Sequence, residues 1–166
     1  MGSHLDPAFI LTEVSPRGTE SRLRRNGATS VEERGRVSAF RMWAMYSSQV
    51  LDHFQNPRNP GAVEGADAVV QIENPACGDV LQLSAKSAAG RINQIGFLAK
   101  GCVPAMACAS ALTELARGRS FEEARKLRRE DLIEKLGALP EASTHATHLA
   151  LEALAALLRK LAESDH

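Results

Sequence analysis

Residues 73–83 read ENPACGDVLQL, and where this stretch divides decides the fold. Asn74, Pro75 and Gly78 are turn formers. Leu81, Leu83 and Ala85 then alternate with polar neighbours, as a half-buried strand does. Upstream, Val70 and Ile72 alternate in the same way, and downstream Ile95, Phe97 and Ala99 do so again. Between the last two runs lies SAAGR (Ser87–Arg91), a hairpin loop in which Gly90 is free to take positive φ. The pattern predicts an antiparallel meander of three strands, with Cys77 and Asp79 in the loop that enters the second.

After Ala99 the period changes. Pro104 suits the first turn of a helix through MACASALTELARG, with Gly118 as its stop. Ser120 and Glu123 have capping-box spacing, and a short helix follows through Leu132 and Leu136 to Gly137. From about Ala142 to Glu163, Leu149, Leu154, Leu157, Leu158 and Leu161 share one side of a last helix. Ahead of the strands, YSSQVLDHF spaces Tyr46, Val50, Leu51 and Phe54 as a helix that QNPRNPG ends. The expected fold class is α+β, a three-stranded antiparallel sheet with helices packed on one face.

At 166 residues the chain is one domain by length, with enough material for a core. Aromatics are only 4%, so that core must be built from Ala, Leu, Ile and Val. Twenty acidic and twenty basic residues cancel, which leaves no global field for nucleic acid or a membrane surface; neither is expected as a partner. RKLRRED (Arg125–Asp131) reads as a solvated helix face among Glu122, Glu123 and Glu130. Three cysteines, with no secretory signal, point to a reducing compartment, and the cytoplasm is expected. No apolar run approaches the ~18 residues of a membrane span.

Residues 1–43 scatter Arg, Glu, Ser, Thr and Gly without a period and are expected to be a disordered extension. Glu13, Glu20, Glu32 and Glu33 argue against an organellar transit peptide. Vector-derived residues or an upstream start are alternatives, since Met42 and Met45 sit just before the regular pattern. The functional domain is placed at 44–166.

Cys77, Asp79, Cys102 and His145 all fall at predicted element ends, where distant parts of the chain can converge. Two thiolates, a carboxylate and an imidazole form a sensible set for zinc or a small iron–sulfur unit. Cys102 just ahead of a helix N-terminus is expected to favour the thiolate. Cys108 inside the alanine-rich helix reads as a small buried hydrophobe. His148 reads as a surface residue with Glu152 one turn on.

YSSQVLDHFQNPRNPG, NPACGDVLQL and FLAKGCVPAMACASALTELARGRSFEEA, taken together, resemble the IscU/NifU N-terminal family of iron–sulfur cluster scaffolds. The resemblance runs from Tyr46 to about Leu161 and implies the same α+β fold. It implies a scaffold or carrier, not an enzyme, that receives sulfur from a cysteine desulfurase, assembles a [2Fe–2S] cluster or binds iron, and serves apo iron–sulfur proteins. Cys77 and Cys102 would be ligands, Asp79 the carboxylate that keeps the cluster labile, and His145 a further ligand.

Three departures stand out. LPEASTHATHLALEAL supplies Leu139, Pro140 and His145, but Ala146 stands where the family has its third cysteine. Glu141, Ala142 and Ser143 replace the rest of the chaperone-binding motif, which puts a chaperone partner in doubt. Val103-Pro104 replaces the usual Gly-Ser. They motivate an alternative: a diverged zinc-binding interaction module of the same fold that no longer assembles clusters.

Overall fold

The computed structural model describes residue 41 and residues 44–164; the expected extension over 1–43 therefore lies, but for Arg41, outside the described residues. The elements in order are α1 (Ser48–Gln55), β1 (Ala68–Asn74), β2 (Asp79–Ala88), β3 (Arg91–Lys100), α2 (Val103–Ala116), α3 (Phe121–Arg125), α4 (Arg129–Leu136), a 3-10 turn (Glu141–Ser143) and α5 (Thr144–Ser164). The sheet is an antiparallel meander in the order β1-β2-β3, as expected. Its register stacks Ala68–Ala85–Ile95, Val70–Leu83–Phe97 and Ile72–Leu81–Ala99 into rows on one face. Helix α5 packs over β1 and β2, α2 packs over β3, and the two helices pack on each other.

The alternation of β3 is broken where a bulge near Lys86 and Ser87 shifts the register. That shift turns Ile92 inward, so Ile92 and Ile95 are both buried although three residues apart. Leu149, Leu154, Leu157, Leu158 and Leu161 of α5 are all buried, each contributing about 1.5–3 kcal/mol of apolar transfer. The Ser120–Glu123 capping box forms. RKLRRED spans the break between α3 and α4 instead of one helix, and Leu127 within it is buried while its basic residues are exposed.

The segment after α1 closes the free edge of β3. Asn59 takes a left-handed φ of 53°, its carbonyl accepts the Phe97 N–H at 3.2 Å, and the Gly61 N–H returns to the Phe97 carbonyl at 2.8 Å. Helix α1 is held to α2 by a buried histidine. His53 Nδ1 lies 2.8 Å from Ser110 Oγ, which also accepts the Arg58 N–H at 2.8 Å. Phe54, one of the apolar residues whose spacing marked α1, is only half-buried, while His53 is buried.

Candidate functional site

The ENPACGD stretch is a tight hairpin. Asn74 and Asp79 are the last paired residues of β1 and β2. The Asn74 side-chain oxygen accepts the Ala76 N–H at 3.0 Å, and its carbonyl accepts the Gly78 N–H at 2.7 Å. Gly78 closes the loop at φ 71°, a left-handed conformation that glycine adopts without a Cβ penalty. Cys77 is thereby left exposed in the loop, while Asp79 begins β2 turned inward, only 5% exposed.

The pairing of Val80 with Lys100 brings the end of β3 alongside that inward carboxylate. Two residues on, Cys102 is the N-cap of α2, with Pro104 in the first turn. The Cys102 N–H donates to Asp79 Oδ1 at 3.2 Å, and its thiol donates to Asp79 Oδ2 at 3.3 Å. One carboxylate therefore holds both the backbone and the sulfur of Cys102, and the motifs of two distant segments meet there.

Cys102 as a residue is exposed, yet its sulfur is drawn against the buried Asp79. Its pKa is consequently raised, first by burial, then by the hydrogen bond and charge of Asp79 and the charge of Cys77; the Ala105 amide opposes this and does not prevail. This corrects the expectation of a favoured thiolate at the helix N-terminus: burial of the sulfur, with the Asp79 carboxylate adding to it, prevails over the amide of the first turn. The Tyr46 phenol is raised as well, by burial and then by the charge of Cys102, which places Tyr46 beside the site as a group the sequence had marked only as apolar.

His145 is exposed in the first turn of α5. Among the described residues no three His, Cys, Asp or Glu side chains are grouped as a metal site. The structure thus joins Asp79 to Cys102 and sets Cys77 within electrostatic reach of them, but it does not gather His145 with them around one point. Ala146 is buried at the start of α5. Cys108 is wholly buried, and burial pushes its thiol up to about 12; it is the small core residue expected. His148 and Glu152 are exposed.

Residues 45–165 match the family described as the NifU-like N terminal domain. The chain is 46% identical over 110 residues to an iron–sulfur cluster assembly scaffold protein IscU of Archaeoglobus fulgidus, an alignment covering 66% of this chain and 72% of that protein. It is 38% identical over 117 residues to the iron–sulfur cluster assembly scaffold protein IscU of Escherichia coli, covering 68% of this chain and 91% of that one. Among solved structures, the N-terminal part of a nitrogen-fixing NifU-like protein from Brucella abortus superposes with a TM-score of 0.60 at 19% identity, over 72% of this chain and 95% of that one. That likeness shows the shared fold.

Proposed function

The chain belongs to the family of NifU-like N-terminal domains, and from that membership we propose that it is an iron–sulfur cluster assembly scaffold. It carries its cluster as cargo and is not an enzyme. The observation that carries the reading is the hydrogen-bonded pair of Asp79 and Cys102, with Cys77 close enough to act on the same sulfur. Similarity to named IscU scaffolds supports it.

In this reading Cys77 and Cys102 supply thiolates, Asp79 a carboxylate and His145 an imidazole. Loading deprotonates Cys102, and Asp79 Oδ2, already the acceptor of that thiol, is placed to pass the proton on to solvent before the carboxylate itself binds. A carboxylate among the ligands binds iron less firmly than a third thiolate, which suits cargo that must leave. The cargo is a [2Fe–2S] unit. The zinc-module alternative has no support from the named relatives, which are iron–sulfur scaffolds.

A cysteine desulfurase supplies the sulfur and apo iron–sulfur proteins receive the cluster. The altered residues Glu141, Ala142 and Ser143 argue for delivery without a dedicated chaperone. Free thiols at Cys77, Cys102 and Cys108 suit the reducing cytoplasm. No helix among the described residues is long and apolar enough to cross a membrane.

Anaerobic mixing of the loaded protein with an apo-ferredoxin tests the reading. Transfer of the visible absorbance to the ferredoxin is expected, and it slows severalfold with Asp79→Ala. A loaded protein that never yields its iron and sulfide to the acceptor contradicts the carrier role.

A further inference from the structure

Two glycines stand beside the candidate ligands, and they are there for different reasons. Gly78 has a left-handed φ of 71°, and a Cβ built on it would meet nothing within 4 Å. Its requirement is conformational. Gly101 is not among the positive-φ glycines, so its backbone is open to other residues. A Cβ on Gly101, however, would lie 2.6 Å from Asp79 Cγ and 3.0 Å from Asp79 Cβ, and closer still to Oδ1. The three nearest atoms all belong to that one carboxylate side chain.

We propose that Gly101 is a positioning residue for the cargo site: its missing side chain is the space in which the Asp79 carboxylate reaches over Cys102. The inference rests on the scaffold reading above and deepens it. Gly101 is exposed, so core packing does not explain a glycine there. Nor can Asp79 give way cheaply. It is buried at 5% exposure, with Oδ1 on the Cys102 amide and Oδ2 on the thiol. Rotating its side chain would break both hydrogen bonds and still leave two Cβ atoms at 3.0 Å, closer than packed carbon atoms sit. A methyl group at 101 thus acts as a partial removal of Asp79, by displacement instead of deletion. Release of cargo that depends on the Asp79 carboxylate then depends on residue 101 too.

The test uses the full chain and begins with the cargo-free protein. Hydrogen exchange at the Cys102 amide should quicken by about tenfold in Gly101→Ala, the scale of one hydrogen bond to a charged group, while exchange at Ala99 on β3 stays as in the wild type. After anaerobic loading, transfer to apo-ferredoxin should slow severalfold in Gly101→Ala. It should not slow further when Gly101→Ala is added to Asp79→Ala, because the two changes act through one group. If Gly101→Ala is too unstable to study, adding Asp79→Ala should restore much of the folding by removing the two nearest atoms in conflict, Oδ1 and Cγ. An unchanged Cys102 amide overturns the proposal, as does a slowing that persists in the Asp79→Ala background, or a folding defect that Asp79→Ala leaves as large as before. Should no variant load iron and sulfide, wild type included, the scaffold reading falls, and the amide exchange still decides the role of Gly101.

Discussion

Asp79 holds Cys102 by two atoms at once, Oδ1 on the amide at 3.2 Å and Oδ2 on the thiol at 3.3 Å. The resting site is therefore a protonated thiol locked under a carboxylate. After burial, the hydrogen bond and charge of Asp79 raise the Cys102 pKa. Asp79→Ala removes both, and the thiol pKa falls back toward its ordinary value. Alkylation of Cys102 by iodoacetamide at pH 7.5, read by peptide mass spectrometry, should then speed up about threefold to tenfold, following the thiolate fraction. An unchanged or slower rate would contradict the assignment.

His53 couples the fold to mild acid. Ser110 occupies its Nδ1 at 2.8 Å, and Glu114 lies 3.8 Å from its Nε2, with Asp52, Arg58 and Lys135 around them. Burial first, and Arg58 second, lower its pKa against the opposing pull of Glu114 and Asp52. A lowered histidine binds its proton in the unfolded chain before the folded one. Stability is therefore full above about pH 6.5 and declines as pH falls toward the folded pKa, by at most about 1.4 kcal/mol per pH unit. Urea unfolding at pH 7 and pH 5.5 should show this loss, and His53→Gln, which can still bond Ser110, should reduce it. An identical loss in the variant would assign the effect elsewhere.

Cys108 makes the opposite limb. Its thiol, buried in α2, is pushed up to about 12, so above about pH 9 the unfolded chain ionises while the folded one does not. Stability should drop by about 1.4 kcal/mol per pH unit from there upward. Cys108→Ala, at a cost of roughly 1 kcal/mol in packing near neutrality, should flatten the slope between pH 9 and pH 10.5. The raised Cys102 and Tyr46 keep a share of the slope, but a slope left as steep as the wild type's would mean that Cys108 ionises freely in the folded state.

The fold was legible because its code is local. Val70, Ile72, Leu81, Leu83, Phe97 and Ala99 alternate along their strands, and the register pairs them on the core face. Ile92 escaped that code because the bulge near Lys86 re-phases β3, and nothing in a period of two announces a bulge. His53 escaped it for another reason: its partner Ser110 lies 57 residues away, and a lone histidine does not name its partner. At the site, the residue types of Cys77, Asp79 and Cys102 pointed to metal chemistry, but the direction of the Cys102 shift did not follow from helix position. It depends first on burial of the sulfur and then on a carboxylate that only the tertiary pairing of β2 and β3 brings there. Gly101 stood in the stretch that carries the family resemblance, but its approach to Asp79 was not legible, since one glycine before a helix looks like any other.

An iron–sulfur cargo held on two cysteines is what the proposed scaffold role requires of this site. Its most direct test is iron and acid-labile sulfide analysis after anaerobic reconstitution of wild type, Cys77→Ala, Cys102→Ala and Cys108→Ala. Iron and sulfide in equal amounts with visible absorbance are expected in the wild type, retained in Cys108→Ala and lost in the other two. A wild-type protein that takes up zinc but no sulfide, or a Cys102→Ala variant that loads as fully as wild type, would contradict it.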